Sequence, residues 1–220
     1  MEERRDMPLP TLNRTLFLPL LALALLALSG ITASAEPIPP PPQVPVRGYI
    51  LMDHQSGNIL ADLKSDERME PASITKLMTA YVIYKALKTG KIHLNDQVTI
   101  SEKAWRTQGS KMFIKIGSQV SVEDLLMGMV VQSGNDATVA LAEHVAGSEE
   151  TFAKLMNQEA ERLGMKNSHF TNAPGLPDPN HYMSARDIAI LTRALIQDFP
   201  DQYPRYSVRS FKYNNIEQQN

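Results

Sequence analysis

The sequence predicts an α+β domain in which a helix cluster packs on an antiparallel sheet that is short of strands, and three observations carry that prediction. Two apolar-rich runs, Gly48 to Asp53 and Asn58 to Leu63, flank the turn residues His54-Gln55-Ser56-Gly57, the pattern of a β-hairpin. From Ile74 to Leu87 the chain is too continuously apolar for a helix with one wet face and too long for a strand, which predicts a buried central helix. After residue 120, capping signals mark four further helices, with one late alternating strand set against them.

Taken in order, the first segment is an address. Leu16 to Leu28 form an apolar run broken only by Pro19, preceded by Arg14 and followed by Ser29, Gly30 and Ala33-Ser34-Ala35. That pattern predicts a signal peptide over residues 1–35, cleaved after Ala35, and an exported, periplasmic or extracytoplasmic protein. The run falls short of the roughly 20 apolar residues that span a bilayer, which argues against an uncleaved anchor. Glu2, Glu3 and Asp6 are out of place in such a leader, whereas initiation at Met7 would leave Arg14 as its only charged side chain. Residues 36–46 hold so many prolines that they must run as polyproline II, a spacer outside any core. The folded part is expected over residues 47–220.

Within it, Gln97 to Ile100 is a short strand candidate. Ser121 begins a helix through about Val131, with Asp124 as the acidic partner of a capping box. A second helix starts near Asn135 or Asp136 and runs to Ala146. A third runs from Ser148 to Leu163 and stops at Gly164, and a fourth follows Ser184, whose box partner is Asp187. Pro174, Pro177 and Pro179 keep the intervening stretch irregular. Tyr206 to Tyr213 alternates like a strand and leads into a polar tail, Asn214 to Asn220.

Composition narrows the function. With 43% hydrophobic and 21% charged residues the chain has room for one ordinary core. Its 22 Lys and Arg against 24 Asp and Glu give a net charge of -2, which argues against an electrostatic grip on nucleic acid and favours a small, weakly charged substrate. The absence of cysteine excludes disulfides, thiolate nucleophiles and Cys-type zinc sites. His54, His93, His144, His169 and His181 are scattered without ligand spacing, so no metal and no cofactor are expected.

Ser73-Ile74-Thr75-Lys76 is the one Ser-x-x-Lys in the chain. Glu70-Pro71-Ala72 breaks any helix before it, and Ser73 then opens the most buried helix. Without a catalytic role, Ser73 would be a plain N-cap serine with a lysine one turn on. That reading is weak, because a cation at a helix N-terminus opposes the macrodipole. The same placement suits a nucleophile and its base. Residues at i and i+3 share a face, so the Lys76 amine can reach the Ser73 hydroxyl, and burial beside the positive helix end favours the neutral amine. The Ser73 N–H, free at the helix start, can donate to an oxyanion. Some sixty residues later, Ser133-Gly134-Asn135 places two polar side chains on an interhelical loop.

A Ser-x-x-Lys at a helix start followed by such a Ser-Gly-Asn is similar to the pattern of penicillin-binding proteins and serine β-lactamases. The sequence resembles the low-molecular-weight D-alanyl-D-alanine carboxypeptidases from about Gly48 to its last residue. Pro71 to Thr79, Gly109-Ser110-Lys111-Met112-Phe113, Gln132 to Ala137 and His181 to Asp187 carry the likeness. The resemblance implies a β-lactamase/transpeptidase-like domain that removes the terminal D-alanine from peptidoglycan stem peptides ending in D-Ala-D-Ala, with β-lactams as covalent inhibitors. It implies Ser73 as the acylated nucleophile, Lys76 as its base, Ser133 as a proton relay and Asn135 as a donor to the substrate amide.

Two lookalikes are set aside. Ser56-Gly57-Asn58 occupies the hairpin turn, where those residues are ordinary. Lys88-Thr89-Gly90 matches the Lys-Thr-Gly that the family carries on a strand, but Lys88 stands roughly 18 Å along the helix from Lys76 at 1.5 Å per residue. The family's own Lys-Thr-Gly strand would follow Asn220, so the sheet is expected to be incomplete because the chain ends early. The β-domain and amphipathic anchor that such enzymes often carry are likewise not expected within these residues. The competing readings are an inactive remnant or binding module of this fold, and a class A β-lactamase, which would need a glutamate base where Gly164 to Ser184 has none.

Overall fold

The structure, a computed structural model, describes residues 40–41 and 43–220, so the expected signal peptide and the first part of the spacer lie outside the described residues. The described spacer residues are exposed. Val44–Asn220 form one unit. Its hairpin pairs β1 (Tyr49–Met52) with β2 (Ile59–Leu63), with Tyr49 opposite Leu63 and Leu51 opposite Ala61. The turn closes on Asp53, whose carboxylate accepts the Ser56 N–H at 2.7 Å and the Ser56 hydroxyl at 2.5 Å, while Gly57 takes a left-handed φ of 77°.

Following the chain, α1 spans Lys76–Lys88, β3 Gln97–Thr99, α2 Glu102–Arg106, β4 Gln119–Ser121, α3 Val122–Val131, α4 Asn135–Ala146, α5 Glu149–Leu163, α6 Ala185–Asp198, β5 Ser210–Tyr213 and β6 Ile216–Gln219. The predicted central helix is α1. Met78, Tyr81, Ile83 and Tyr84 on it are fully buried, and it packs against α3, α4, α5 and α6. No single polar face remains, as the unbroken apolar run requires.

The helix ends follow from their residues. Ser121, Ser148 and Ser184 each accept, through the side chain, an N–H three residues on, from Asp124, Thr151 and Asp187. Such a cap satisfies an otherwise unpaired donor and is worth about 1 kcal/mol. Gly147 and Gly164 close α4 and α5 in left-handed conformations, with φ of 79° and 77°.

Several expectations need correction. The strands make three separate two-stranded sheets, β1-β2, β3-β4 and β5-β6, where the sequence suggested one. Short helix α2 and strand β4 escape periodicity because neither is long enough to show a period. The segment starting at Tyr206 is not strand: Tyr203–Ser207 form a 3-10 helix, with Pro204 preset for a first helical turn, and β5 begins at Ser210. The polar tail is not a tail. Ile216–Gln219 pair with β5, and Gln218 is buried with its amide donating to the Met112 carbonyl at 3.1 Å. Pairing and that one contact override the low strand propensity of Glu-Gln-Gln.

Candidate active site

Ser73 does not cap α1. It lies in a 3-10 turn, Ala72–Thr75, that leads into the helix at Lys76. Pro71 starts the turn, accepting the Ile74 N–H at 3.1 Å, and Ala72 adopts a left-handed φ of 47°. An alanine is held there because the loop after α5 presses on it. A Cβ built on Gly175 would stand 1.9 Å from the Ala72 carbonyl oxygen, so only glycine permits this approach. Ser73 is thereby left exposed on a surface whose next turn is buried.

Lys76 is 7% exposed, and its amine is ringed by three acceptors. It lies 3.2 Å from Ser73 Oγ, 2.7 Å from Asn135 Oδ1 and 3.0 Å from the Pro174 carbonyl oxygen. Burial pushes the amine down to about 8 from the usual lysine value. In the ammonium form its three N–H groups find one acceptor each. In the neutral form, two N–H bonds to Asn135 and Pro174 aim the lone pair at the Ser73 hydroxyl, the geometry of a base.

Asn135, the first residue of α4, is held at both ends of its amide. Its Oδ1 accepts from Lys76, and its Nδ2 donates to the Gln108 carbonyl at 2.7 Å, leaving one N–H uncommitted. Gly109 makes room, since a Cβ there would lie 2.5 Å from Asn135 Nδ2. Ser133 sits on the turn between α3 and α4 at a φ of 57°. It lines, with Ser73, Lys76, Leu77, Met129, Val130 and Tyr206, a cavity of about 110 Å³. Among the described residues its hydroxyl makes no hydrogen bond to Ser73 or Lys76. Ser73, Lys76 and Ser133 thus share one cavity, while Asn135, which does not line it, joins them through its bond to Lys76. A larger cavity of about 550 Å³, between Lys88, His93, Asp198 and Phe199, contains none of them.

The two lookalikes lie elsewhere. Ser56 is engaged in the hairpin turn, and the Lys88 amine donates to the Asp198 carbonyl at 3.0 Å at the far end of α1.

Sequence reasoning missed several supports. The Pro174 carbonyl is main chain, so no side-chain pattern announces it. Asp136 is buried, and its carboxylate accepts N–H groups from Met112, Phe113, Ile114 and Ala137 at 2.9, 3.0, 3.3 and 2.9 Å. It pins the 108–114 loop to α4, and its only sequence signal was its place beside Asn135. His181 is 3% exposed, and its Nε2 meets Thr75 Oγ1 at 2.8 Å.

Known proteins resemble this chain along most of its length. A family model described as D-alanyl-D-alanine carboxypeptidase matches residues 34–220. D-alanyl-D-alanine carboxypeptidase DacA of Haemophilus influenzae is 50% identical over 200 residues, covering 88% of this chain and 51% of that protein. DacC of Escherichia coli is 47% identical over 193 residues, 85% of this chain and 48% of that one. Among solved structures, penicillin binding protein 5 from Haemophilus influenzae superposes with a TM-score of 0.80 at 51% identity, covering 82% of this chain and 53% of that one. Penicillin binding protein 6B from Escherichia coli gives 0.80 at 42% identity, covering 84% and 62%. The chain spans about half the length of the curated relatives it matches.

Proposed function

The chain belongs to the D-alanyl-D-alanine carboxypeptidase family, and from that premise we propose that it is a serine-type carboxypeptidase acylated at Ser73, exported by residues 1–35 and acting on peptidoglycan stem peptides that end in D-Ala-D-Ala. In this reading the neutral Lys76 amine takes the Ser73 proton as Oγ attacks the carbonyl carbon of the penultimate D-alanine. The oxygen that gains charge is met by the Ser73 N–H. The C–N bond then breaks, and the departing D-alanine amine receives the proton held on Lys76, with Ser133, on the wall of the same cavity but not bonded to Lys76 in the free chain, as the relay once substrate is bound. Asn135 turns its uncommitted N–H to the substrate amide. Water next adds to the Ser73 ester, releasing the shortened peptide and restoring the hydroxyl. A β-lactam opens by the same attack and remains as the acyl-enzyme.

The observation that carries this reading is the buried Lys76 amine 3.2 Å from Ser73 Oγ, with two other acceptors fixing its direction. The test is twofold: label the chain with a fluorescent penicillin, and measure D-alanine release from a synthetic pentapeptide. The expected result is one covalent adduct, mapped to Ser73 by mass spectrometry and lost in Ser73→Ala. A folded chain that takes no label, or takes it at another residue, overturns the assignment and favours a non-catalytic module.

A further inference from the structure

The loop 171–181 touches the nucleophile's turn at four successive points. Gly175 lies against the Ala72 carbonyl, as its forbidden Cβ shows. His181 meets Thr75 Oγ1 at 2.8 Å, the Pro174 carbonyl accepts from Lys76 at 3.0 Å, and the Ala173 carbonyl accepts the Thr79 hydroxyl at 2.7 Å. The segment is a strap laid along one face of the Ser73–Thr79 turn and helix. Its own shape is set by Asn172, whose Oδ1 accepts the N–H groups of Gly175 and Leu176 at 2.8 Å each.

What ties the strap down is a histidine that donates on one side and accepts on the other. His181 Nδ1 is approached by the Thr171 N–H, which can only donate, at 3.2 Å and by the Thr171 hydroxyl, which can donate or accept, at 3.3 Å. The backbone bond is satisfied only when Nδ1 is the unprotonated nitrogen. Nε2 then carries the proton and donates it to Thr75 Oγ1. Phe170 packs edge-on against the ring at 5.7 Å between centroids. A doubly protonated ring loses the backbone bond, because Nδ1–H would face the Thr171 N–H and could turn only to the Thr171 hydroxyl oxygen. Burial moves the ring the same way, holding it below the usual histidine value, with His169 adding to the effect and Asp178 opposing it.

We propose that His181 is a positioning residue of the candidate active site: as the neutral Nε2–H tautomer it joins Thr75 to the backbone of Thr171, and so holds the Pro174 carbonyl over the Lys76 amine and keeps water from it. This deepens the functional reading above and rests on it for its consequence, although the bond itself is a property of the folded chain. Thr75, the third residue of the Ser-x-x-Lys motif, is fully buried and gains a role here that the motif does not give it. Lys76 is depressed by burial alone, so a loosened strap that admits water raises it toward the ordinary lysine value.

The test uses the intact chain and two readouts. First, the His181 ring nitrogens of the 15N-labelled wild type are read by NMR. The neutral Nε2–H form near pH 7 is expected, and Nδ1–H or a charged ring overturns the proposal without any variant. Second, Lys76 is titrated through its 13C-labelled side chain in wild type, Thr75→Ser and Thr75→Val. Thr75→Ser keeps the acceptor oxygen and should titrate with wild type near 8. Thr75→Val keeps the shape without the acceptor and should titrate higher by about one pH unit, with penicillin acylation slower by about tenfold at neutral pH. An unmoved Lys76 in Thr75→Val sinks the proposal. A wild-type chain that takes no penicillin label sinks the functional reading instead, while the two NMR measurements still decide the role of His181.

Discussion

Burial favours the neutral amine of Lys76, which the proposed mechanism needs as its base. With the amine brought down to about 8, roughly a tenth of it is neutral at pH 7. If, as proposed, the neutral form accepts the Ser73 proton, acylation by a fluorescent penicillin should rise with pH and level off above about 8. A rate that falls over that range would show that the ammonium is the active form. Lys76→Arg keeps the charge but stays protonated, and should slow acylation by about 10² or more. Lys88→Ala, bonded only at the far end of the helix, should stay within about threefold of wild type. At this scale the sequence was informative about identities, because Ser73, Lys76 and Asn135 stand at fixed offsets on a helix start and a turn. It said nothing of Pro174 or of the histidine behind Thr75, since both reach the site from about a hundred residues away.

Elements were most legible where a short-range rule decides them. Serines 121, 148 and 184 start helices and glycines 147 and 164 end them, because an unpaired terminal N–H or carbonyl is satisfied within a few residues of chain. The elements that were missed, α2, β4 and β6, are short or polar and exist because a distant segment supplies their partner. The loop 108–114 is the clearest case. Its conformation includes Phe113 at a φ of 67°, a costly place for an aromatic residue, and the Asp136 carboxylate stabilises it by accepting three successive N–H groups. Asp136→Asn turns an NH₂ toward donors that need an oxygen, and should cost roughly 2 kcal/mol in thermal unfolding. It should also weaken acylation, because Gln108 in that loop anchors Asn135. Unchanged stability would mean that the loop holds itself.

At the scale of the whole unit, Val44–Asn220 combine a well-filled helical core with a thinly covered β1-β2 hairpin. Leu51, Ile59, Leu60 and Leu63 of the hairpin are 56%, 45%, 62% and 38% exposed, on a two-stranded sheet whose outer edges are unpaired among the described residues. Such an edge templates association. The 220-residue chain should therefore grow in light-scattering mass with concentration, and Leu60→Lys should suppress that growth; a chain monomeric at every concentration would show that this surface is inert. The sequence by itself determined the α+β class, the order of the longer helices with their serine caps, and the positions of the Ser73-x-x-Lys76 and Ser133-Gly134-Asn135 motifs, because those depend on residue types at offsets of one or two helical turns. Tertiary structure alone decided that the strands form three separate pairs, that Ser133 faces the cavity without bonding to Lys76, and that the strap of 171–181 closes over the amine. Those outcomes depend on which distant segments meet, and a pattern of local offsets carries no information about a backbone carbonyl brought in across the fold.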